Sequence, residues 1–356
     1  MKKLNVAIIG QGRSGRDIHG AYFLSEKSKE YYNVVAVVDR MAARRERAKA
    51  EFGCDVYSDY TELFGRKDID VVVNSTFSHM HYPVTMGLLT HGFNVVCEKP
   101  FSAYAHECED MIRAAKENGR LLTVFQQSRL APYYKRIHEI IKSGALGKII
   151  QINIAFSGYA RRWDWQTSKR FYGGSLLNTG PHPLDQALDL LETDDMPQIF
   201  SHLEKVNTFG DAEDYAKVIL TCPGKPIVDV EISSCDGYSD YTYKVQGSHG
   251  ALKATMSRID WKCFNPEKSP LHTLVTEPLT GEDGVKPVYC SEKLEWENHS
   301  EDLTGNAFDD AVSEYYERLY RTVTVGEELF IKPEKVLQLI RVAEAVHASN
   351  PMPMIY

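Results

Sequence analysis

Apolar positions follow two different rhythms along this chain. Up to about Gln127, short and nearly continuous apolar runs alternate with segments of helical spacing. The runs LNVAIIG, YNVVAVVD, DIDVVVNST, NVVCE and RLLTVF read as strands. Between them Ile18 to Leu24, MAARRERAKAEF with Gly53 as its stop, Tyr60 to Phe64, Pro83 to His91 with Gly92 as its stop, and Ala103 to Asn118 read as helices. A strand that is apolar on both faces is covered on both faces, as in a parallel sheet flanked by helices. This half therefore predicts a doubly wound α/β sheet of about six strands.

Beyond a helix from Pro132 to Ser143 the rhythm becomes alternation with period two: KIIQINIAF, IFSHLEKV, YAKVILTC, PIVDVEISSC, YTYKVQG and ALKATM. These segments predict a C-terminal α+β domain on a large, open, mainly antiparallel sheet, with the chain dividing into 1–127 and 128–356. Residues Asn265 to Ser300 read as loops with at best short strands. Two amphipathic helices close the chain, one carrying Phe308, Ala311, Val312, Tyr315 and Leu319 on one face and the other beginning at Pro333; both read as packing elements. A broad sheet needs each face covered, by helices or by another subunit, so the expectation is a homodimer or homotetramer formed through the C-terminal sheet.

Composition narrows the function classes. With 356 residues and 43% hydrophobic content, two well-packed domains are expected. A net charge of −8 argues against a nucleic-acid partner and against an anionic membrane surface, and leaves a small-molecule substrate. Met1-Lys2-Lys3 leads directly into the first strand, whose apolar run is too short for a signal-peptide core, and no run reaches membrane-spanning length. The expected location is cytoplasmic. Seven cysteines, none spaced C-x-x-C, fit reduced structural thiols. His79 and His81 form an H-x-H pair without an evident third ligand, so no metal is expected.

The stretch Leu4 to Asp39 carries the first chemistry. Gly10, Gly12 and Gly15 form a G-x-G-x-x-G pattern between a strand and a helix, with Arg13 and Ser14 inside the turn. In such a turn the first glycine bends the chain, the second lets backbone N–H groups approach a pyrophosphate, and the third lets helix and strand pack closely. The helix N-terminus adds partial positive charge for the phosphates. Asp39 follows at about the 20-residue offset expected of a ribose-binding carboxylate, which favours NAD over NADP. Arg40 beside it can stack on adenine or pair with a 2′-phosphate, so NADP stays open.

Ligands in doubly wound sheets bind beyond the carboxyl ends of the strands. That rule selects Asp39, Ser75 and Thr76, then Glu98, Lys99 and Pro100, and then Gln126 and Gln127; Phe77, next to Thr76, is counted with the cofactor residues. Pro100 keeps Lys99 extended at its strand tip, where the ammonium can project toward cofactor. In the second half, GGSLLNTGPHPLDQALDLL places His182 as N-cap of a helix beginning at Pro183. The helix dipole there favours a neutral imidazole, the state a general base needs. The segment SGYARRWDWQTSKRFYGG mixes aromatic and charged side chains; Tyr159, Arg162 and Trp163 suit a sugar-binding loop. A domain-packing loop with surface arginines is the alternative.

The glycine pattern, the run TFSHMHYPVTMGLLTHGFNVVCEKP and the segment GGSLLNTGPHPLD together resemble the glucose-fructose oxidoreductase / inositol dehydrogenase / rhizopine-catabolism family, in the same order and over nearly the whole chain. The resemblance implies a Rossmann domain followed by an α/β domain whose open sheet mediates oligomers, with the active site between them. It places the family's E-K-P motif on Glu98, Lys99 and Pro100, its catalytic histidine on His182, its loop histidine on His81 and the start of that loop on Thr76. Many members carry an aspartate four residues before the histidine, where this chain has Asn178. An amide cannot relay a proton but can orient a substrate hydroxyl or His182 by hydrogen bonding. The expected activity is hydride transfer between NAD(P) and a secondary alcohol of a sugar, cyclitol or related polyol, with Lys99, Asn178 and His182 at the substrate. Family members that cleave glycosides through transient oxidation, and non-catalytic NAD-binding regulators, are the competing readings.

Overall fold

The five apolar runs of the first half become strands of a six-stranded parallel sheet in the computed structural model, which describes residues 2–280, 284–285 and 288–356. The six strands are β1 (Leu4–Ile9), β2 (Tyr32–Val38), β3 (Asp55–Tyr57), β4 (Val71–Asn74), β5 (Val95–Cys97) and β6 (Leu122–Val124), ordered β3-β2-β1-β4-β5-β6. All four residues of β4 are buried, as a strand covered on both faces requires. The order reverses between β1 and β4, and that switch point opens the crevice in which such sheets bind ligands. The sequence reading had no strand at β3, a three-residue, half-exposed edge with too few positions to show a period.

The chain leaves β1 through the glycine turn into wide π-helical turns over Arg13–Gly20, which tighten into α1 (Ala21–Leu24). The sheet is flanked by α2 (Ala42–Phe52), α3 (His81–Thr90) and α4 (Ala105–Glu117). Gly53 ends α2 in the left-handed conformation at φ +65°, where its N–H caps the carbonyl of Lys49.

After α5 (Pro132–Lys142) the chain builds β7 (Ile149–Ser157), the short helix α6 (Ser175–Asn178) and α7 (Pro181–Leu191). Seven further strands complete the second sheet: β8 (Gln198–Glu204), β9 (Tyr215–Thr221), β10 (Ile227–Ser233), β11 (Tyr243–Gly247), β12 (Gly250–Ala254), β13 (Arg258–Cys263) and β14 (Glu297–Asp302). Their order is β14-β13-β12-β11-β7-β10-β9-β8, antiparallel apart from the parallel β7–β10 pair. The alternation in sequence becomes alternation of burial: Ala216, Val218 and Leu220 point into the core from β9, whereas Tyr215, Lys217, Ile219 and Thr221 face outward. Leu184, Leu188 and Leu191 of α7 cover the inner face. At about 1.5–3 kcal/mol for each fully buried large aliphatic side chain, these contacts hold α7 rigidly over β7 and β10. The outer face carries a half-buried charge network, with Lys217 Nζ 2.8 Å from Asp229 and 3.2 Å from Glu231. Strands β13 and β14 escaped the sequence reading because RIDWKC buries only Ile259 and ENHSED has no apolar residue at all.

The closing helices, α8 (Ala307–Val325) and α9 (Pro333–Ser349), return to the first domain. Tyr316 of α8 packs among His19, Tyr22, Phe23 and Tyr32, and Tyr315 Oη donates to the carbonyl of Val124 at 3.1 Å. A single division after residue 127 assigns these helices to the second half of the chain, whereas α8 completes the core of the first. All seven cysteines are unpaired. Among the described residues no helix is long and apolar enough to cross a membrane.

Candidate active site

The glycine turn is fixed by close backbone approach. Gly10 has φ +91°, and a Cβ there would stand 2.5 Å from the carbonyl oxygen of Ser75. A Cβ on Gly15 would stand 1.9 Å from the carbonyl oxygen of Gly10. Gly12 differs, because a Cβ there meets only the Arg44 guanidinium, at 4.0 Å. Gly10 and Gly15 thus shape the turn, while Gly12 leaves an open backbone surface at the head of the helix, with Arg13 exposed beside it and Ser14 half-buried. That surface fits a dinucleotide pyrophosphate.

Asp39 lies beside this turn, but its carboxylate is engaged within the protein. Oδ2 accepts from the backbone N–H of Gln11 at 2.7 Å and Oδ1 from that of Met41 at 2.8 Å. Arg44 Nη1 stands 3.4 Å from Oδ2. Sequence reasoning chose Arg40 as the cation at this point; Arg40 is exposed, and Arg44, one turn into α2, makes the contact.

At the end of β4, Ser75 Oγ donates to the carbonyls of Ile9 and Gly10, tying the switch point together. Thr76 Oγ1 donates to Asn74, and Phe77 projects outward at 48% exposure. His81, which the resemblance places as the loop histidine and so among the cofactor residues, is buried. Its Nδ1 lies 2.7 Å from the carbonyl of Pro100 and its Nε2 3.3 Å from that of Thr76, so the ring braces the ends of β4 and β5. Glu98 likewise turns inward, with 3% exposure, accepting from the N–H of Lys99 at 2.9 Å and meeting His19. Successive residues at a strand end point to opposite sides, so Lys99 faces the crevice and Glu98 the core. The Lys99–Pro100 peptide is cis. Gln127 is buried, and its Oε1 has no hydrogen-bond partner among the described residues.

Lys99 reaches the second domain. Its Nζ donates to the backbone carbonyl of Asn178 at 2.8 Å. The Asn178 contribution seen here is therefore a main-chain oxygen rather than the side-chain amide. Helix α7 begins at Pro181, so His182 sits inside its first turn and not at the N-cap expected from Pro183. Either proline suits a first turn, and sequence alone does not choose between them. The His182 imidazole is pushed down to about 3 by burial and by the nearby Lys99 ammonium, with Glu98 opposing. Its Nδ1 is a buried nitrogen without a hydrogen-bond partner among the described residues. An orphaned acceptor of this kind can receive a hydrogen bond from a ligand hydroxyl, and burial and the neighbouring ammonium keep the ring itself neutral.

Gln126 Nε2 ties the first domain to the second by donating to the carbonyl of Pro181, and within the second domain Arg129 makes two hydrogen bonds, of 2.5 and 2.8 Å, to the buried carboxylate of Asp185 on α7. The loop after β7 adds an aromatic contact that sequence reasoning missed, with Phe77 packed on Trp165 at 4.8 Å and on Phe171 at 5.8 Å. His79 joins it, 5.0 Å from Phe171. Of the three loop residues selected for substrate, Arg162 pairs with Asp164 and acts electrostatically on Lys99, whereas Tyr159 and Trp163 stand in solvent at 67% and 78% exposure. The site thus assembles Lys99, Asn178, His182 and Arg162, and leaves Tyr159 and Trp163 outside it.

Comparison with known proteins agrees with this architecture. Residues 4–126 match the family model described as oxidoreductase family, NAD-binding Rossmann fold, and residues 134–253 match the GFO/IDH/MocA C-terminal domain. The scyllo-inositol 2-dehydrogenase (NADP(+)) IolW of Bacillus subtilis is 27% identical, over 98% of this chain and 94% of its own. The 2,7-anhydro-N-acetylneuraminate hydratase of Mediterraneibacter gnavus is 25% identical over 72% of this chain and 68% of its own. Among solved structures, GenD2 from gentamicin A biosynthesis, in complex with NAD, superposes with a TM-score of 0.76 at 20% identity, covering 98% of this chain and 94% of that one. The chain belongs to the GFO/IDH/MocA family of NAD(P)-binding oxidoreductases.

Proposed function

We propose that this protein transfers a hydride between NAD(P) and a secondary alcohol of a sugar, cyclitol or related polyol. The observation that carries the proposal is the unpartnered, neutral His182 Nδ1 in the same crevice as the Lys99 ammonium. Gly10, Gly12, Arg13, Ser14 and Gly15 would hold the cofactor pyrophosphate, with Asp39 and Arg44 at the adenosine ribose. The bound cofactor supplies the hydride acceptor in oxidation and the donor in reduction. His182 takes the hydroxyl proton at Nδ1, and Lys99 stabilises the charge that develops on the oxygen. The Asn178 carbonyl keeps the ammonium aimed at that oxygen. Reduction of a ketone uses the same groups with the proton returned from His182. The aromatic wall of Phe77, Trp165 and Phe171 suits the C–H faces of a sugar ring.

A second reading, an NAD-dependent glycoside-cleaving enzyme that oxidises transiently and eliminates the aglycone, has room because Asn178 stands where the resemblance places an aspartate. A purified-protein screen of sugars, cyclitols and glycosides, following nicotinamide absorbance and released aglycone in parallel, separates the readings. Net reduced cofactor from a free polyol supports the dehydrogenase; aglycone release without net reduced cofactor supports the second reading. Neither signal, with NAD bound, leaves the non-catalytic regulator. The uncovered outer face of the second sheet supports association into a homodimer or homotetramer, which sedimentation velocity tests; a monomeric mass refutes it.

A further inference from the structure

A line of hydrogen bonds runs beneath the crevice. Tyr316 Oη lies 2.6 Å from His19 Nδ1, and His19 Nε2 lies 2.9 Å from Glu98 Oε1. Glu98 Oε2 accepts from the N–H of Lys99 at 2.9 Å, and Lys99 Nζ donates to Asn178 at 2.8 Å. His19, Tyr316 and Glu98 are 0%, 1% and 3% exposed, so water cannot substitute for any link. A carboxylate offers only lone pairs, which puts the shared hydrogen on Nε2, and the Tyr316 hydroxyl then donates to Nδ1 of that tautomer. The assembly is rigid: Phe125 packs on His19 at 4.4 Å, Tyr22 stacks on Tyr316 at 4.7 Å, and Tyr32 Oη donates to the Tyr316 carbonyl at 2.6 Å.

We propose that His19 and Tyr316 are positioning residues that hold Glu98 as a carboxylate beside Lys99, so that the lysine meets substrate as an ammonium. The proposal rests on the reading of Lys99 as the group facing the reacting oxygen. The charges around the lysine show why such a device is needed. Burial pulls Lys99 below the ordinary lysine range; Arg13 from the glycine turn and Arg162 from the second-domain loop pull the same way, and Glu98 opposes them. His182 faces Lys99 from α7 and is itself kept neutral in part by it. Burial pushes Glu98 up, but its hydrogen bond from His19, together with the pull of Lys99, brings it net below the usual carboxylate range. Without His19, Glu98 would stand buried with its Oε1 unpaired, and a buried carboxyl group in that position takes up a proton. Lys99 would then lose its counter-charge and release its own proton at lower pH. Tyr316 acts one step further away, by fixing the tautomer and ring orientation of His19.

The test reads Lys99 without requiring turnover. Wild type, His19→Leu, Tyr316→Phe and His19→Gln are labelled with acetic anhydride across a pH series, and the extent of Lys99 acetylation is followed by mass spectrometry. His19→Leu is expected to lower the labelling midpoint by about one pH unit, a tenfold change in the ammonium-to-amine ratio. Tyr316→Phe, which removes one hydroxyl and preserves packing, is expected to give a smaller shift of the same sign. His19→Gln, whose amide both donates to Glu98 and accepts from Tyr316, is expected to restore the wild-type midpoint. The alkaline limb of kcat/KM should move in parallel. Unmoved midpoints overturn the proposal, and should His19→Leu fail to fold, Tyr316→Phe decides alone. Shifted midpoints in a protein that turns over no polyol support the proposal and refute the hydride-transfer reading separately.

Discussion

Cofactor choice offers a sharp perturbation, because the cation beside Asp39 is visible only in three dimensions. Asp39 is the type of residue that excludes a 2′-phosphate, yet Arg44 stands 3.4 Å from its Oδ2 and 4.0 Å from the Cβ position of Gly12, over the turn that would receive the cofactor. A guanidinium there offsets the carboxylate and leaves donors for a phosphate. Replacing Arg44 with Ala removes a charge-assisted contact worth about 1.5–3 kcal/mol when fully formed. The Arg44 side chain is 40% exposed, so solvent screening reduces this to about 1–1.5 kcal/mol. At 1.4 kcal/mol per factor of ten, kcat/KM with NADP should fall by roughly five- to tenfold, with NAD nearly unchanged. Cofactor affinity is measured first by fluorescence titration and then by steady-state kinetics with both nucleotides at two salt concentrations. The loss should shrink as ionic strength rises. An equal loss with both nucleotides would show that Arg44 merely supports the turn, and an unchanged NADP value would remove it from the site.

The remaining predictions concern Lys99, His182 and the turn. Lys99→Ala should lower kcat by about 10²–10³, the cost of losing one donor to a developing oxyanion, while NAD still binds measurably; full activity in that variant eliminates the role. Because His182 is held at about 3, protonation of its imidazole produces no acid limb in kcat/KM for alcohol oxidation between pH 5 and 8. Activity should instead fall on the alkaline side, as Lys99, held below its ordinary range, loses its proton with rising pH. A limb near the ordinary histidine value that disappears in His182→Gln would contradict this. Gly15→Ala places a methyl 1.9 Å from the Gly10 carbonyl and 2.6 Å from Ser75 Oγ, so the turn must move. We expect a loss of about 1–3 kcal/mol in chemical denaturation and of NAD binding; wild-type values for both would show that the turn is more compliant than its packing implies.

The sequence made the scaffold legible wherever burial is two-sided or strictly alternating. β4 and β9 are the clear cases, since their patterns match the two kinds of sheet without reference to anything distant. It failed where an element is short or polar, as at β3 and β14, because pairing there is dictated by a neighbouring strand and not by the side chains of the segment. Among site residues the strand-end rule found Lys99, and it selected Glu98 with equal force. The rule locates a backbone position and says nothing of which way each side chain turns, so residues that brace the crevice were counted with those that face it.

What no local pattern could supply is the layer underneath. His19 and Tyr316 lie 297 positions apart, the first on an inner turn of a helix whose visible signal is its glycines, the second in an amphipathic stripe that reads as ordinary packing. Their meeting depends on α8 crossing back onto the first domain, an arrangement that the contiguous division of the chain conceals. A lysine at a strand tip is by itself a surface charge. It becomes a candidate for catalysis because one residue before it an acid is turned inward, and that acid persists as a carboxylate because a buried histidine and tyrosine have no other use for their hydrogens. The chemistry of the crevice is therefore set as much by the aromatic core behind β1 and β6 as by the residues that would touch the substrate.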